Sequence, residues 1–302
     1  MRDRLYEFFT AGVSPTASEK IGVEVETIYV DAQNEPVEAY VTQSILRHMV
    51  SRGTWEATEL ASYRGEERIA AIANTKGDRV IFEIGVANLE VVTRVALPRD
   101  AVAISQDILG ELELAAAKDG IGLPHYGPII TPKKSVLAPV SERERRFLKM
   151  DGHDVTNMMA CTASVQFTIE VTPQNAVRIL NRLHNKMPDF LATYPQDALW
   201  RTYMQLSNAG YRADRYGGPS SFESIADYCA ELGEHEVLTE NGLAPSVLSP
   251  DVDLALFVKS VWWYFRLKRY GDQLCLEIRP IARSTNEDIR SQWAFVEEIV
   301  RS

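Results

Sequence analysis

The sequence has little of what soft metal centres are built from. Its three cysteines, Cys161, Cys229 and Cys275, lie far apart, and its five histidines do not fall with them at ligand spacing. Zinc is therefore disfavoured, since it needs thiolates or imidazoles at short repeats, and the cysteines read as reduced structural residues. Long apolar runs are missing too: no stretch of eighteen residues is apolar enough to suggest a membrane-spanning helix. The opening MRDRLYEFFTAG places charges where the apolar segment of a signal peptide would lie, so a cytoplasmic protein is expected. Positive charge is the minority, with 32 Lys and Arg against 42 Asp and Glu. The net charge of −10 argues against nucleic acid and anionic membrane as partners. No GxxxxGK[ST] segment occurs, which excludes a P-loop route to nucleotide phosphates. Linkers, repeats and low-complexity tracts are also missing, so residues 1–302 are expected to form one domain.

What the sequence does have is carboxylates inside strands. GVEVETIYVD, from Gly22 to Asp31, is rich in β-branched and aromatic residues and reads as part of a strand over about 20–31. Alternation puts Ile21, Val23 and Val25 on one face, and Glu24, Glu26, Ile28 and Val30 on the other. Two carboxylates about 7 Å apart on a half-buried face repel by roughly 2 kcal/mol at an effective dielectric near 20, so a positive group should stand between them. The plain alternative is an exposed edge strand whose charges discourage aggregation. The pattern then recurs. VIFEIGVANLEVVT carries Glu83 and Glu90 on either side of a glycine-containing break, ASVQFTIEV presents Ser164, Gln166, Thr168 and Glu170 on one face, and LCLEIRP sets Glu277 beside Arg279.

Between these strands the sequence predicts helix over roughly 40–75 and a long helix opened by Leu97-Pro98-Arg99-Asp100, with Ala101, Ile104, Ile108, Leu112 and Ala115 on its apolar face. GLPHYGPIITPKK is too rich in proline and glycine to be regular. Thr172-Pro173 is expected to start a helix with Val177, Leu180 and Leu183 inward, most of the chain from there to about 265 reads as helix, and a terminal helix follows the last strand. Strands and helices in this irregular order predict an α+β fold with an antiparallel sheet. If Glu24, Glu26, Glu83, Glu90 and Glu277 converge, protonating them would require large pKa shifts, whereas a hard divalent cation such as magnesium neutralises them and keeps open positions for phosphate oxygens.

GVEVE, FEIGVANLEVVT, MMACTASVQFTIE and LEIRP, in that order from residue 22 to residue 279, resemble the signatures of the glutamate-cysteine ligase and carboxylate-amine ligase group of the glutamine synthetase superfamily. LSNAGYRAD and SFESIADYCAEL look like that family's substrate loop and the helix after it. The resemblance implies a curved, mainly antiparallel sheet whose concave face is the active site, with helices on the outer face. It implies ATP and Mg2+, and a reaction in which a carboxylate, usually the glutamate side chain, is phosphorylated and then joined to cysteine or another amine, carrier-bound amines included. Glu24, Glu26, Glu83, Glu90 and Glu277 match the family's metal ligands, and Gln166 falls where a metal or nucleotide contact is expected. Arg279 matches the arginine that meets the transferred phosphoryl group, a duty suited to its fork of donors. Arg146 in ERERRFLKM and Ser207, Asn208 and Tyr211 in the loop are candidates for substrate binding, although the loop departs from the family pattern. His125 and His153 read as structural. The chain is short for this family, which points to site closure in a homodimer or to a larger nucleophile. Two other readings stay open: a noncatalytic ligand-binding relative, and an ATP-dependent guanidino phosphotransferase of the same fold, whose catalytic cysteine segment is not visible.

Overall fold

In the computed structural model the structure describes residues 1–63, 66–119, 122–126, 142–194, 196–208, 215–234, 236–239, 242–245 and 254–302. Helix α1 (Arg2–Thr10) leads into strand β1 (Ile21–Val30), followed by α2 (Ala39–Ser51), β2 (Trp55–Tyr63), β3 (Glu66–Asn74), β4 (Arg79–Phe82) and β5 (Asn88–Val92). The long helix α3 (Pro98–Asp119) starts on its proline, where the missing N–H leaves no bond unmade. After it come β6 (Leu123–His125), α4 (Glu142–Asp151), α5 (His153–Ala160), β7 (Val165–Val171), α6 (Ala176–Asn185), α7 (Met187–Thr193) and α8 (Asp197–Met204). The chain continues through β8 (Tyr216–Gly217), α9 (Ile225–Gly233), β9 (Glu236–Thr239), β10 (Gly242–Pro245), α10 (Leu254–Lys259), β11 (Trp262–Trp263), β12 (Phe265–Tyr270), β13 (Gln273–Ile278) and α11 (Asp288–Arg301).

Nine strands form one sheet in the order β12-β13-β7-β1-β5-β4-β3-β2, with β6 added beside β1. Its pairings are antiparallel. The mixed α and β content with a mainly antiparallel sheet agrees with the sequence reading. One face is apolar: Val23, Val25, Val165, Phe167, Leu274, Leu276 and Ile278 are fully buried there. Helices cover it, as aromatic contacts mark: Phe167 on β7 meets Trp293 of α11 at 5.3 Å, and Phe190 of α7 lies between Phe265 on β12 at 5.3 Å and Phe295 of α11 at 5.0 Å. Among the described residues no helix is long and apolar enough to cross a membrane.

The structure departs from the sequence reading in three places. The helix expected over 40–75 stops at Ser51, and a hairpin of β2 and β3 takes its remainder. The alanines and glutamates of EATELAS and EERIAAIA favour helix by composition, and β2 is largely exposed, so it lacks the alternation by which a strand is recognised. Helix α6 begins at Ala176, not at Pro173: the Thr172 carbonyl accepts from the N–H groups of Asn175 and Ala176, and the turn so formed holds Pro173 ahead of the helix. The segment expected to be helical up to 265 gives way to β8, β9, β10 and β11 between its helices, and FRLKRY just beyond it forms β12. Its Phe265 and Leu267 face the core while Arg266 and Lys268 face the polar side.

Candidate active site

Strand register puts the acidic residues on the face opposite the apolar core. Glu24 stands opposite Gln166, Glu26 opposite Glu90, and Glu277 opposite Thr168. Directly opposed residues of antiparallel strands share a face, so β1, β5, β7 and β13 contribute to one surface. Glu83 lies just past β4, where its N–H donates to the Asn88 carbonyl at 3.1 Å. That bond extends the β4–β5 pairing by a residue and keeps Glu83 in phase with Ile81, the partner of Glu90.

On this face two groups of charges form. At the β12–β13 end, the fully buried Glu277 is ringed by cations. Its Oε2 accepts from Arg266 Nε at 2.9 Å and from Arg279 Nη1 at 2.9 Å, and Lys268 Nζ pairs with its Oε1. Burial works against this carboxylate, yet Arg266, Lys268 and Arg279 together hold it well below the usual carboxylate range. Arg266 is fixed in turn by donating Nη1 to the carbonyls of Val258 and Val261. Lys268 also reaches towards Glu24, 3.9 Å from its Oε1.

Nearer the sheet centre, Glu26 accepts from the Ser164 N–H at 2.8 Å, from Ser164 Oγ at 3.1 Å and from Gln166 Nε2 at 3.1 Å. Its carboxyl is pushed up to about 8, first by burial and then by repulsion from Glu83, against the attraction of Arg279. Gln166 links the two groups, since its Oε1 accepts from Arg279 Nη1 at 3.0 Å. Glu26, Glu83, Ser164 and Arg279 are among the residues lining a cleft whose other walls are mainly aromatic.

The remaining candidates lie apart from the cleft or outside the described residues. Ser207 is buried and donates its hydroxyl to Asp151 Oδ1 at 2.7 Å, where Arg215 Nη1 also donates at 2.7 Å. The Asn208 N–H donates to the Asp151 carbonyl, and its side chain lies against Gly152, which sits at φ 83. A Cβ at Gly152 would come within 3.0 Å of the Asn208 amide, so glycine is required there on both counts. These contacts strap the chain after α8 onto the end of α4. The side chain of Arg146 and all of Tyr211 lie outside the described residues. Arg266 and Lys268, which hold Glu277 ionised, escaped the sequence reading, although FRLKRY carries a clear two-residue alternation.

Carboxylate and amide oxygens are the donors a hard cation takes. The Glu26–Glu83 repulsion is what such an ion would relieve, so this end of the face fits magnesium by its chemistry. Glu277 stands differently, because three side-chain cations already balance its charge. Among the described residues no group of three or more His, Cys, Asp and Glu stands close enough to grip one ion.

No protein-family model and no curated protein matches the chain. Among solved structures it is similar to a bifunctional glutathione synthetase from Pasteurella multocida, at 15% identity and a TM-score of 0.46, over 94% of this chain and 39% of that one. It is also similar to a novel glutamine synthase homolog, at 11% identity and a TM-score of 0.41, over 93% of this chain and 55% of that one. The chain thus spans about two-fifths and somewhat over half of these proteins' lengths. Similarity this loose carries no argument about chemistry, which has to come from the residues themselves.

Proposed function

We propose that the protein is an ATP-dependent carboxylate-amine ligase of glutamate-cysteine ligase type, with the acidic sheet face as its active site and that face concave around its substrates. A substrate carboxylate oxygen attacks the γ-phosphorus of ATP and ADP leaves. The amine nitrogen then attacks the acyl carbon, the C–N bond forms, the C–O bond to phosphate breaks, and the ammonium protons pass to solvent or to a neighbouring carboxylate. Arg279, its guanidinium facing the cleft beside Glu26, suits the transferred phosphoryl group, because a planar cation neutralises charge spread over equatorial oxygens. Ser164 and Gln166 hold the Glu26 carboxylate in place. Glu26 and Glu83, the interacting pair, would hold magnesium with water completing its shell, and the ion when bound would supply neutralisation of phosphate charge.

The observation that carries this reading is the common face: five glutamates, a glutamine and an arginine, on or just beyond β1, β4, β5, β7 and β13, lie on one side of one sheet. The test is ADP and phosphate release with Mg2+, ATP and glutamate, assayed with and without an amine. Release that requires both substrates and falls at least about 100-fold in Arg279→Lys and Glu26→Gln is expected. ADP without free phosphate would indicate transfer to an acceptor instead. Unchanged turnover in both variants would remove these residues from the site.

A noncatalytic ligand-binding relative is the second reading, favoured by Glu277, whose charge Arg266, Lys268 and Arg279 already balance. The guanidino phosphotransferase reading draws no support from Cys275. Burial and Glu170 push its thiol up to about 11, the opposite of what a reactive thiolate needs.

A further inference from the structure

Glu24 and Glu277 match metal ligands in the sequence reading, and in the fold a side-chain cation already joins them. It is Lys268. This lysine belongs to β12 and stands opposite Cys275, so no carboxylate faces it directly across the ladder. Its ammonium group pairs instead with Glu277 Oε1 on β13 and comes within 3.9 Å of Glu24 Oε1 on β1. In the sheet order β7 separates those two strands, and an ion shared by both carboxylates has to stand between them, within reach of each. Nζ holds that position.

Access does not explain why a lysine fills it. The Glu24 side chain is 21% exposed and lines a groove with Gly22, Thr168 and Tyr270, so dissolved ions reach it. Nor is Lys268 a brace of the Arg266 kind. Arg266 is tied by Nη1 to the carbonyls of Val258 and Val261, whereas Lys268 gives its ammonium group to carboxylates of two different strands. A metal ion would be held in the same way. An ammonium group is a compact point charge with three donors, able to gather oxygens from several directions. A divalent ion beside it would be repelled and would compete for the same oxygens. Glu26 and Glu83 differ, since they repel each other and the arginine that opposes this, Arg279, is shared with Glu277.

We propose that Lys268 is the resident counter-ion of Glu24 and Glu277, standing where a metal ion shared by these carboxylates would stand, so that the acidic face takes up a single divalent ion, at Glu26 and Glu83. The single ion rests on the assignment of magnesium to that pair in the ligase reading. The role of Lys268 does not.

The test counts bound ions and needs no activity. Mn2+, which takes carboxylate and water oxygens as magnesium does, is titrated into the full chain without nucleotide, and the free ion is followed by electron paramagnetic resonance. The wild type is expected to bind one Mn2+ per chain, Glu24→Gln to bind one still, and Glu26→Gln to bind none. Lys268→Met, with an unchanged circular dichroism spectrum, is expected to bind two, and to return to one when Glu24→Gln is added. A count in Lys268→Met no higher than in the wild type overturns the proposal. So does a count lowered by Glu24→Gln alone, and this comparison decides should Lys268→Met not fold. One ion in the wild type, lost in Glu26→Gln, with no gain in Lys268→Met overturns the role of Lys268 and leaves the magnesium of the ligase reading standing. A wild type that binds none overturns the single ion at Glu26 and Glu83, while an ion gained in Lys268→Met and lost again with Glu24→Gln would still support Lys268 as the counter-ion.

Discussion

Glu277 and Glu26 belong to the same face of the same sheet and meet opposite fates. Glu277 is completely buried and stays ionised, while Glu26, the more exposed of the two, is pushed up to about 8. Depth of burial would predict the reverse. The neighbours decide: Glu277 has Arg266, Lys268 and Arg279 around it, whereas Glu26 has a second carboxylate, Glu83, and a share of Arg279. One end of the face is electrostatically complete. The other is left with a negative excess that a cation or a proton must relieve, and it is this end that opens into the cleft.

The comparison breaks most sharply if the complete end loses a cation. Arg266→Leu leaves Glu277 buried with part of its charge uncompensated, and should destabilise the fold by about 3–5 kcal/mol, read as a lower midpoint in urea denaturation. Adding Glu277→Gln to that variant should recover much of the loss, because the buried charge goes with it. A loss under 1 kcal/mol in the single variant would mean that Lys268 and Arg279 suffice.

A third buried group separates burial from charge altogether. His184 lies edge-on to Phe265 at 5.0 Å and to Phe222 at 6.0 Å, and burial alone lowers it to about 4. A histidine whose folded pKa is depressed contributes its full stability above the ordinary value near 6.5. As pH falls from there towards 4 the unfolded chain takes up a proton that the folded chain refuses, so stability drops by about 3 kcal/mol and then levels off. Urea midpoints measured across that window should show this slope in the wild type and lose most of it in His184→Leu. An equal slope in the variant would assign it to other groups.

The face itself was legible in the sequence, and its charge balance was not. Two-residue alternation in VEVE and CLEIR is a local signal, and the register honours it. That a positive group should stand among the carboxylates also followed from Coulomb's law, but its source did not. Arg266 and Lys268 come from β12, whose FRLKRY was lost at the edge of a stretch read as helix, and which residue faces Glu277 is fixed by pairing across strands, not by sequence spacing. The same holds for Ser207: its place in a loop suggested a ligand contact, whereas its hydroxyl is committed to Asp151, 56 residues away along the chain. The aromatic walls were illegible for a similar reason, since Phe147, Trp200, Tyr216 and Trp262 come from α4, α8, β8 and β11 and show no common pattern in sequence.

The smallest effect, and the most specific, belongs to the incomplete end. A carboxyl whose folded pKa is raised from 4.5 to about 8 contributes stability below the lower value and loses it as pH rises through the higher one, because the folded state then holds a repelled charge. Glu26→Gln removes that charge and keeps one acceptor oxygen for Ser164. Without divalent ions it should therefore be more stable than the wild type by about 1–2 kcal/mol at pH 9, after discounting for the solvent that reaches this half-buried group, and nearly equal at about pH 4, below the unfolded value. Magnesium added at pH 9 should raise the wild-type melting temperature and leave the variant's unchanged, since an ion bound here takes over the role of the proton. If the variant were less stable at pH 9, or if magnesium raised both melting temperatures equally, Glu26 would be a structural acceptor for Ser164 and Gln166. The negative excess at this end of the sheet would then have no part in holding an ion.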